Sequence, residues 1–145
     1  MPKLTVSKSY YGSNGTVNNP KNDFFVFALN SQLNPENELL FITAALGFGC
    51  KQLHGCYQQV QEIVYLIPVI DNKYADVWKA IRKLAQDFDQ ECVLYVEGES
   101  KNTSLMYIRG YETSKHIGTF TRISASEAIS SGDWTLDGNQ FWGVK

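Results

Sequence analysis

The sequence predicts an α+β protein whose helices pack on one mixed sheet. Two observations carry that reading. Two segments place apolar residues at helical spacing, and around them stand short apolar runs rich in Val, Ile, Phe and Tyr. These alternate in the order β, α, β, α, β, β, with further strands appended. At 145 residues the chain is long enough for one domain with a real core.

Residues 1–22 are rich in Ser, Gly and Asn and end near Asn19-Pro20, which predicts a flexible N-terminal arm. Residues 23–145 are expected to form a single domain. Asp23-Phe24-Phe25-Val26-Phe27-Ala28-Leu29 is apolar throughout and of strand length, as in a strand buried on both faces. A helix follows, capped by Asn34, with Pro35 at its first position and Glu36 and Glu38 at the positive end of its dipole. Leu39, Ile42, Thr43 and Leu46 form its stripe, and Gly47 stops it. Residues 50–61 are polar and give no clear element, with Gly55 read as a bend. Residues 62–70 read as a strand whose Pro68 places the later half near an edge or bulge.

The second helix is the clearest element. Tyr74, Val77, Trp78, Ile81, Leu84, Ala85 and Phe88 share one face, with Asp71 or Asn72 as cap and Lys83 and Asp87 paired on the wet side. Residues 91–97 and 105–109 read as a hairpin, and residues 118–123 as another strand. Asp137-Gly138 between two aromatic-rich runs signals a closing hairpin. The order reads as a ferredoxin-like α+β sandwich with appended hairpins. One face of such a sheet is bare, so a second subunit is expected to cover it.

Composition removes several function classes. Lys and Arg number 13 and Asp and Glu 15, a net charge of −2, so no basic face for nucleic acid is expected. No apolar run is long enough to span a bilayer, and the first residues show no signal-peptide core; a cytoplasmic protein is expected. The three cysteines lack CxxC spacing, which predicts reduced thiols.

Candidate chemistry is sparse. Cys50, His54 and Cys56 fit no standard zinc spacing, so no metal site is expected. Neither His54 nor His116 shows a third group that would orient a Cys–His nucleophile pair. Gly47-Phe48-Gly49 lies at the wrong end of its helix to bind phosphate but would allow a flat ligand near the backbone. Arg109-Gly110-Tyr111 is an incomplete RNA-binding strand motif. Tyr57, Glu62, Gln90, Glu91 and Glu97 remain. They read as solvated element ends, or, with a cationic substrate, as carboxylates and an aromatic face that attract a positive centre.

Ala44-Ala45-Leu46-Gly47-Phe48-Gly49, then Gly55-Cys56-Tyr57, then Gln90-Glu91-Cys92-Val93-Leu94 occur in this order around the two helices. In this the chain resembles the bacteriophage S-adenosylmethionine-degrading enzymes that counter host restriction, from about Phe24 to Trp142. The resemblance implies a homotrimer of GlnB-like sandwiches in the host bacterial cytoplasm, with active sites between subunits. It implies S-adenosylmethionine lyase chemistry without metal or cofactor, giving 5′-methylthioadenosine and L-homoserine lactone. The family's active-site Tyr falls on Tyr57 and its Gln–acid pair on Gln90 and Glu91. Its essential Glu falls on Glu62, with Glu97 the alternative because the segment from Tyr57 is shorter than the family pattern. Gly47, Phe48 and Gly49 are expected to line the adenine pocket. Other readings stay open: a hydrolase giving homoserine with Glu62 as general base, a non-catalytic GlnB-like nucleotide-binding regulator, or an inhibitor that binds a host protein.

Overall fold

The computed structural model describes residues 22–29, 51–69, 73–87, 90–109 and 113–145. The arm up to residue 21, the helix expected after Asn34, and the Gly47–Gly49 turn lie outside the described residues, as do Cys50, Asp71, Asn72 and Phe88.

The elements are β1 (Phe24–Leu29), β2 (Lys51–Tyr57), β3 (Val60–Pro68), α1 (Tyr74–Asp87), β4 (Cys92–Val96), β5 (Asn102–Tyr107), β6 (Ser114–Ile123), α2 (Ala125–Ser131), β7 (Trp134–Asp137) and β8 (Gln140–Val144). The strands form a closed barrel in the order β1-β3-β2-β7-β8-β6-β5-β4, with β4 returning to β1. Every pairing is antiparallel.

Strand alternation sorts the apolar residues into two cores. Phe24, Val26, Leu53, Val64, Leu66, Val96, Phe120 and Trp142 fill the barrel. Their neighbours Phe25, Phe27, Tyr65, Ile67 and Val93 face outward against Val77, Ile81, Leu84 and Ala85 of α1. This explains why β1 is apolar at every position: one side meets the interior and the other meets the helix. Burying Val77, Ile81 and Leu84 stabilises the fold by about 1.5–3 kcal/mol each. Trp78 of the same helix stacks on Phe25 with ring planes 11° apart. Lys83 and Asp87 lie 4.0 Å apart on the exposed side, as their spacing predicts.

Three findings depart from the sequence reading. First, the sheet is neither mixed nor open. The polar stretch with no clear element is β2, which pairs with β3 on one side and β7 on the other. That pairing carries the C-terminal hairpin round to the core sheet, so the face expected to need a partner becomes the barrel interior. Second, Gly55 is no bend. It lies mid-strand, where a Cβ would come within 2.2 Å of Val64 Cγ2, so glycine permits the close approach. Third, residues 125–131 form a short helix. Ser124 and Glu127 make a reciprocal capping box, and Gly132, at φ 71°, ends the helix in the left-handed region. Ser-x-x-Glu was a readable signal for it.

The hairpins behave as expected elsewhere. β4 and β5 pair from Cys92↔Tyr107 to Val96↔Thr103, and β7 and β8 turn at Gly138–Asn139, flanked by the pair Asp137↔Gln140. The β1 start is tied to the β4–β5 turn by Asp23, which accepts from Tyr95 Oη and, at 2.8 Å, from the Gly98 N–H. No helix among the described residues is long and apolar enough to cross a membrane.

Candidate active site

The β2–β3 turn sets the first side of the site. Tyr57 pairs with Val60 across a two-residue turn in which Gln58 and Gln59 both take positive φ, 48° and 69°. Two left-handed residues suit a tight hairpin, but glutamine is a costly choice for that conformation. The turn is held from outside: the Gln58 N–H donates to Asp133 Oδ1 at 2.7 Å, and the Gln59 N–H donates to the Gly132 carbonyl at 3.1 Å. The α2–β7 connection therefore fixes the end of β2, and Tyr57 with it.

Glu62 sits two positions into β3 from that turn, on the same face as Val64 and Leu66. Its partner across the strand pair is Gly55, so no side chain stands directly opposite it on β2. Gln90 and Glu91 join α1 to β4, and their backbones are pinned. The Gln90 N–H caps the helix on the Ala85 carbonyl at 2.8 Å, and the Glu91 carbonyl accepts from the Ile108 N–H at 2.9 Å.

Tyr57, Glu62, Gln90 and Glu91 all line one cavity of 760 Å³. Val26, Ala28, Val64, Leu94, Leu105, Phe120 and Trp142 supply its apolar wall, a combination typical of a ligand site in a barrel. Its charge is one-sided. Glu62, Glu91, Glu127 and Asp133 line it, against Lys145 alone among the described residues. Lys145 is already paired with Glu127 at 2.5 Å, which holds the Glu127 carboxyl below its usual range. The net field at this cavity favours a cation.

Protonation follows from the surroundings. Burial pushes the Glu62 carboxyl above the ordinary glutamate range. Burial also raises the Tyr57 hydroxyl, helped by nearby Cys92, Asp133 and Glu91. The Cys92 thiol is raised by burial and by Glu91, so it is not primed as a nucleophile. No described residue hydrogen-bonds or ion-pairs with the Glu62 side chain, so its charge is available to a cationic ligand.

The other candidates fall elsewhere. Glu97 is exposed and lines no part of the cavity; it accepts from Ser100 Oγ at 2.7 Å in the β4–β5 turn. His54 and His116 are exposed and lie outside the cavity. Arg109 donates to the Gln86 carbonyl at 3.4 Å. Among the described residues no group of three or more His, Cys, Asp or Glu is placed to hold a metal. Sequence reasoning missed Asp133, Trp134 and Trp142, which also line the cavity. The Gly132-Asp133 step after a capped helix was the one local signal for the first of these.

Over residues 28–145 the chain matches the family model described as the S-Adenosylmethionine lyase family. No curated protein matches the chain.

Proposed function

The chain belongs to the S-adenosylmethionine lyase family, and from that premise we propose that it cleaves S-adenosylmethionine by intramolecular displacement in the cavity described above. The observation that carries this reading is one apolar cavity with Glu62, Tyr57, Gln90 and Glu91 on its walls and a surplus of carboxylates. The substrate is a cation with an aromatic base at one end, and both features suit such a site.

The substrate carries its own nucleophile. A carboxylate oxygen attacks the γ-carbon, and the carbon–sulfur bond breaks with its electron pair going to sulfur. Neutral 5′-methylthioadenosine leaves, and L-homoserine lactone keeps the α-ammonium. Charge and atoms balance without water or proton transfer. The protein's task is then to fold the methionyl chain so that oxygen, carbon and sulfur lie in line. Positioning of this kind supplies about 7–11 kcal/mol in favourable cases. Removing water from the attacking carboxylate adds to it.

Glu62 binds the α-ammonium or sulfonium. Because positive charge on sulfur disappears as the bond breaks, a carboxylate beside it would favour the ground state. Glu62 therefore serves binding and orientation, best at the ammonium, whose charge persists. Tyr57, 55% exposed, offers its ring to the sulfonium. Gln90 and Glu91, held by their backbones, take ribose hydroxyls or adenine edges. The resemblance assigns Gly47, Phe48 and Gly49, which lie outside the described residues, to the adenine side as well.

The strand order β4-β1-β3-β2 is the order a ferredoxin-like core requires, which supports that part of the expected architecture. A homotrimer follows from the resemblance, and light scattering of the purified chain tests it. Depletion of S-adenosylmethionine, in phage counter-defence against restriction–modification, is the biological role we assign.

One observation favours a second reading. A carboxyl raised by burial, as Glu62 is, also suits a general base that activates water to give homoserine. Proton NMR of S-adenosylmethionine with the purified protein separates the two. Early homoserine lactone beside methylthioadenosine is the expected result. Homoserine from the first time points, with a proton released at each turnover, would establish the hydrolase. Unchanged substrate with tight binding would leave a nucleotide-binding regulator.

A further inference from the structure

Trp142 has no role in the scheme above, yet among the described residues it is the cavity-lining one whose fully buried hydrogen-bond donor meets no acceptor. It lies on β8, only 7% exposed, within the cluster that fills the barrel, and it lines the cavity. Its ring stacks on Phe120 at 5.5 Å with planes 8° apart. Its Nε1–H is buried and meets no acceptor among the described residues. An indole N–H acts only as a donor, and buried donors are ordinarily satisfied. This one calls for an acceptor from outside the described protein.

The strand register says where that acceptor would lie. Glu62 stands opposite Gly55, Gly55 opposite Thr135, and Thr135 opposite Trp142. These four residues form a single row across β3, β2, β7 and β8 and share the interior face. The row is large at its two ends and small in the middle. Strand spacing puts Glu62 and Trp142 about 14 Å apart along the sheet, and closer across the curved interior. A ligand with a cation at one end and a flat heterocycle at the other would span this gap, cation on Glu62 and heterocycle beside Phe120 and Trp142.

We infer that Trp142 Nε1–H donates to a ring nitrogen of the substrate's adenine, which makes Trp142 a specificity-determining residue for the purine. The inference rests on S-adenosylmethionine being the substrate. Adenine offers three ring nitrogens at its edges, N1, N3 and N7, all acceptors. A site built around one such hydrogen bond rejects an analogue that lacks the acceptor, because the buried donor is then stranded again.

The test uses the full chain with S-adenosylmethionine and its 1-deaza, 3-deaza and 7-deaza analogues. For the wild type, one analogue should raise KM about three- to tenfold with kcat little changed. Trp142→Phe keeps a ring on Phe120 and removes the donor. It should raise KM for S-adenosylmethionine by the same factor and no longer distinguish that analogue. Its Tm is expected to fall by a few degrees, because the smaller ring leaves part of the buried indole volume empty. Wild-type KM in Trp142→Phe, or equal KM for all four substrates in the wild type, overturns the inference. Unchanged KM would give the indole an internal partner instead. Asp137 Oδ2, the other buried unpaired polar atom of the same hairpin, is the candidate for that role. The analogue series on the wild type decides the matter should the variant not fold. A wild type that neither binds nor cleaves S-adenosylmethionine fails the underlying reading and this inference with it. Cleavage by a wild type that treats every analogue alike fails this inference alone.

Discussion

Gln58 donates its backbone N–H to Asp133 Oδ1 at 2.7 Å, bridging 75 residues of sequence. The bond ties the strained β2–β3 turn to the segment after α2, and Tyr57 is the residue just before that turn. Asp133 thus acts on the site through backbone position, apart from its charge. Asp133→Ala should lower kcat by about tenfold, in line with the cost of misplacing a substrate-orienting group. Asp133→Asn keeps an acceptor for Gln58 and should recover most of that loss. Equal loss in both variants would point to the charge instead. Steady-state kinetics with a circular-dichroism control reads the difference.

Glu62 gives a pH signature with a definite sign. Its carboxyl is raised by burial, so the folded protein holds that proton more tightly than the unfolded chain does. The associated stability is present at low pH and is lost as pH rises through the folded-state pKa. Glu62→Gln should therefore leave Tm at neutral pH unchanged or higher. Binding needs the ionised form, so kcat/KM should fall as pH drops through the same raised pKa. In the complex the cation lowers that pKa, and the acid limb of kcat should lie at lower pH. Glu62→Gln should abolish the acid limb and cost about 30-fold or more in kcat/KM.

Glu97→Gln is the matching control. Its carboxylate is engaged with Ser100 in the β4–β5 turn and lies off the cavity. Activity should stay within about twofold of wild type, since exposed polar substitutions usually have effects of about 0.5 kcal/mol or less. A large loss here, with Glu62→Gln active, would exchange the roles assigned to the two glutamates.

Gly55 and Val64 test the packing beneath the site. A methyl at residue 55 meets Val64 Cγ2 at 2.2 Å, and a β-branched side chain has few ways to give. Gly55→Ala should destabilise by about 1–3 kcal/mol in urea unfolding. Adding Val64→Ala should return part of that loss, so the double-mutant cycle should show coupling well above additivity error. Purely additive effects would mean that the strands separate instead of clashing.

Much of the architecture is legible in the sequence. The α1 stripe, the β4–β5 and β7–β8 hairpins and the strand character of β1 and β3 follow from local periodicity and turn chemistry. Those features are written in neighbouring residues, so a single chain displays them. Tyr57, Glu62, Gln90 and Glu91 were legible only as polar residues at element ends, and a family resemblance selected them.

What remained hidden depends on partners distant in sequence. β2 alternates poorly because its register is set by β3 and β7, and its turn uses glutamines that Asp133 and Gly132 hold in place. Barrel closure needs that strand, and the cavity needs the closure. Asp133 and Trp142 join the site through pairings that no local window contains. Local sequence thus decided which segments become helix and strand, because backbone preference and apolar period act over a few residues. The tertiary structure alone decided which side chains share an enclosed wall, because that depends on register across strands far apart in the chain.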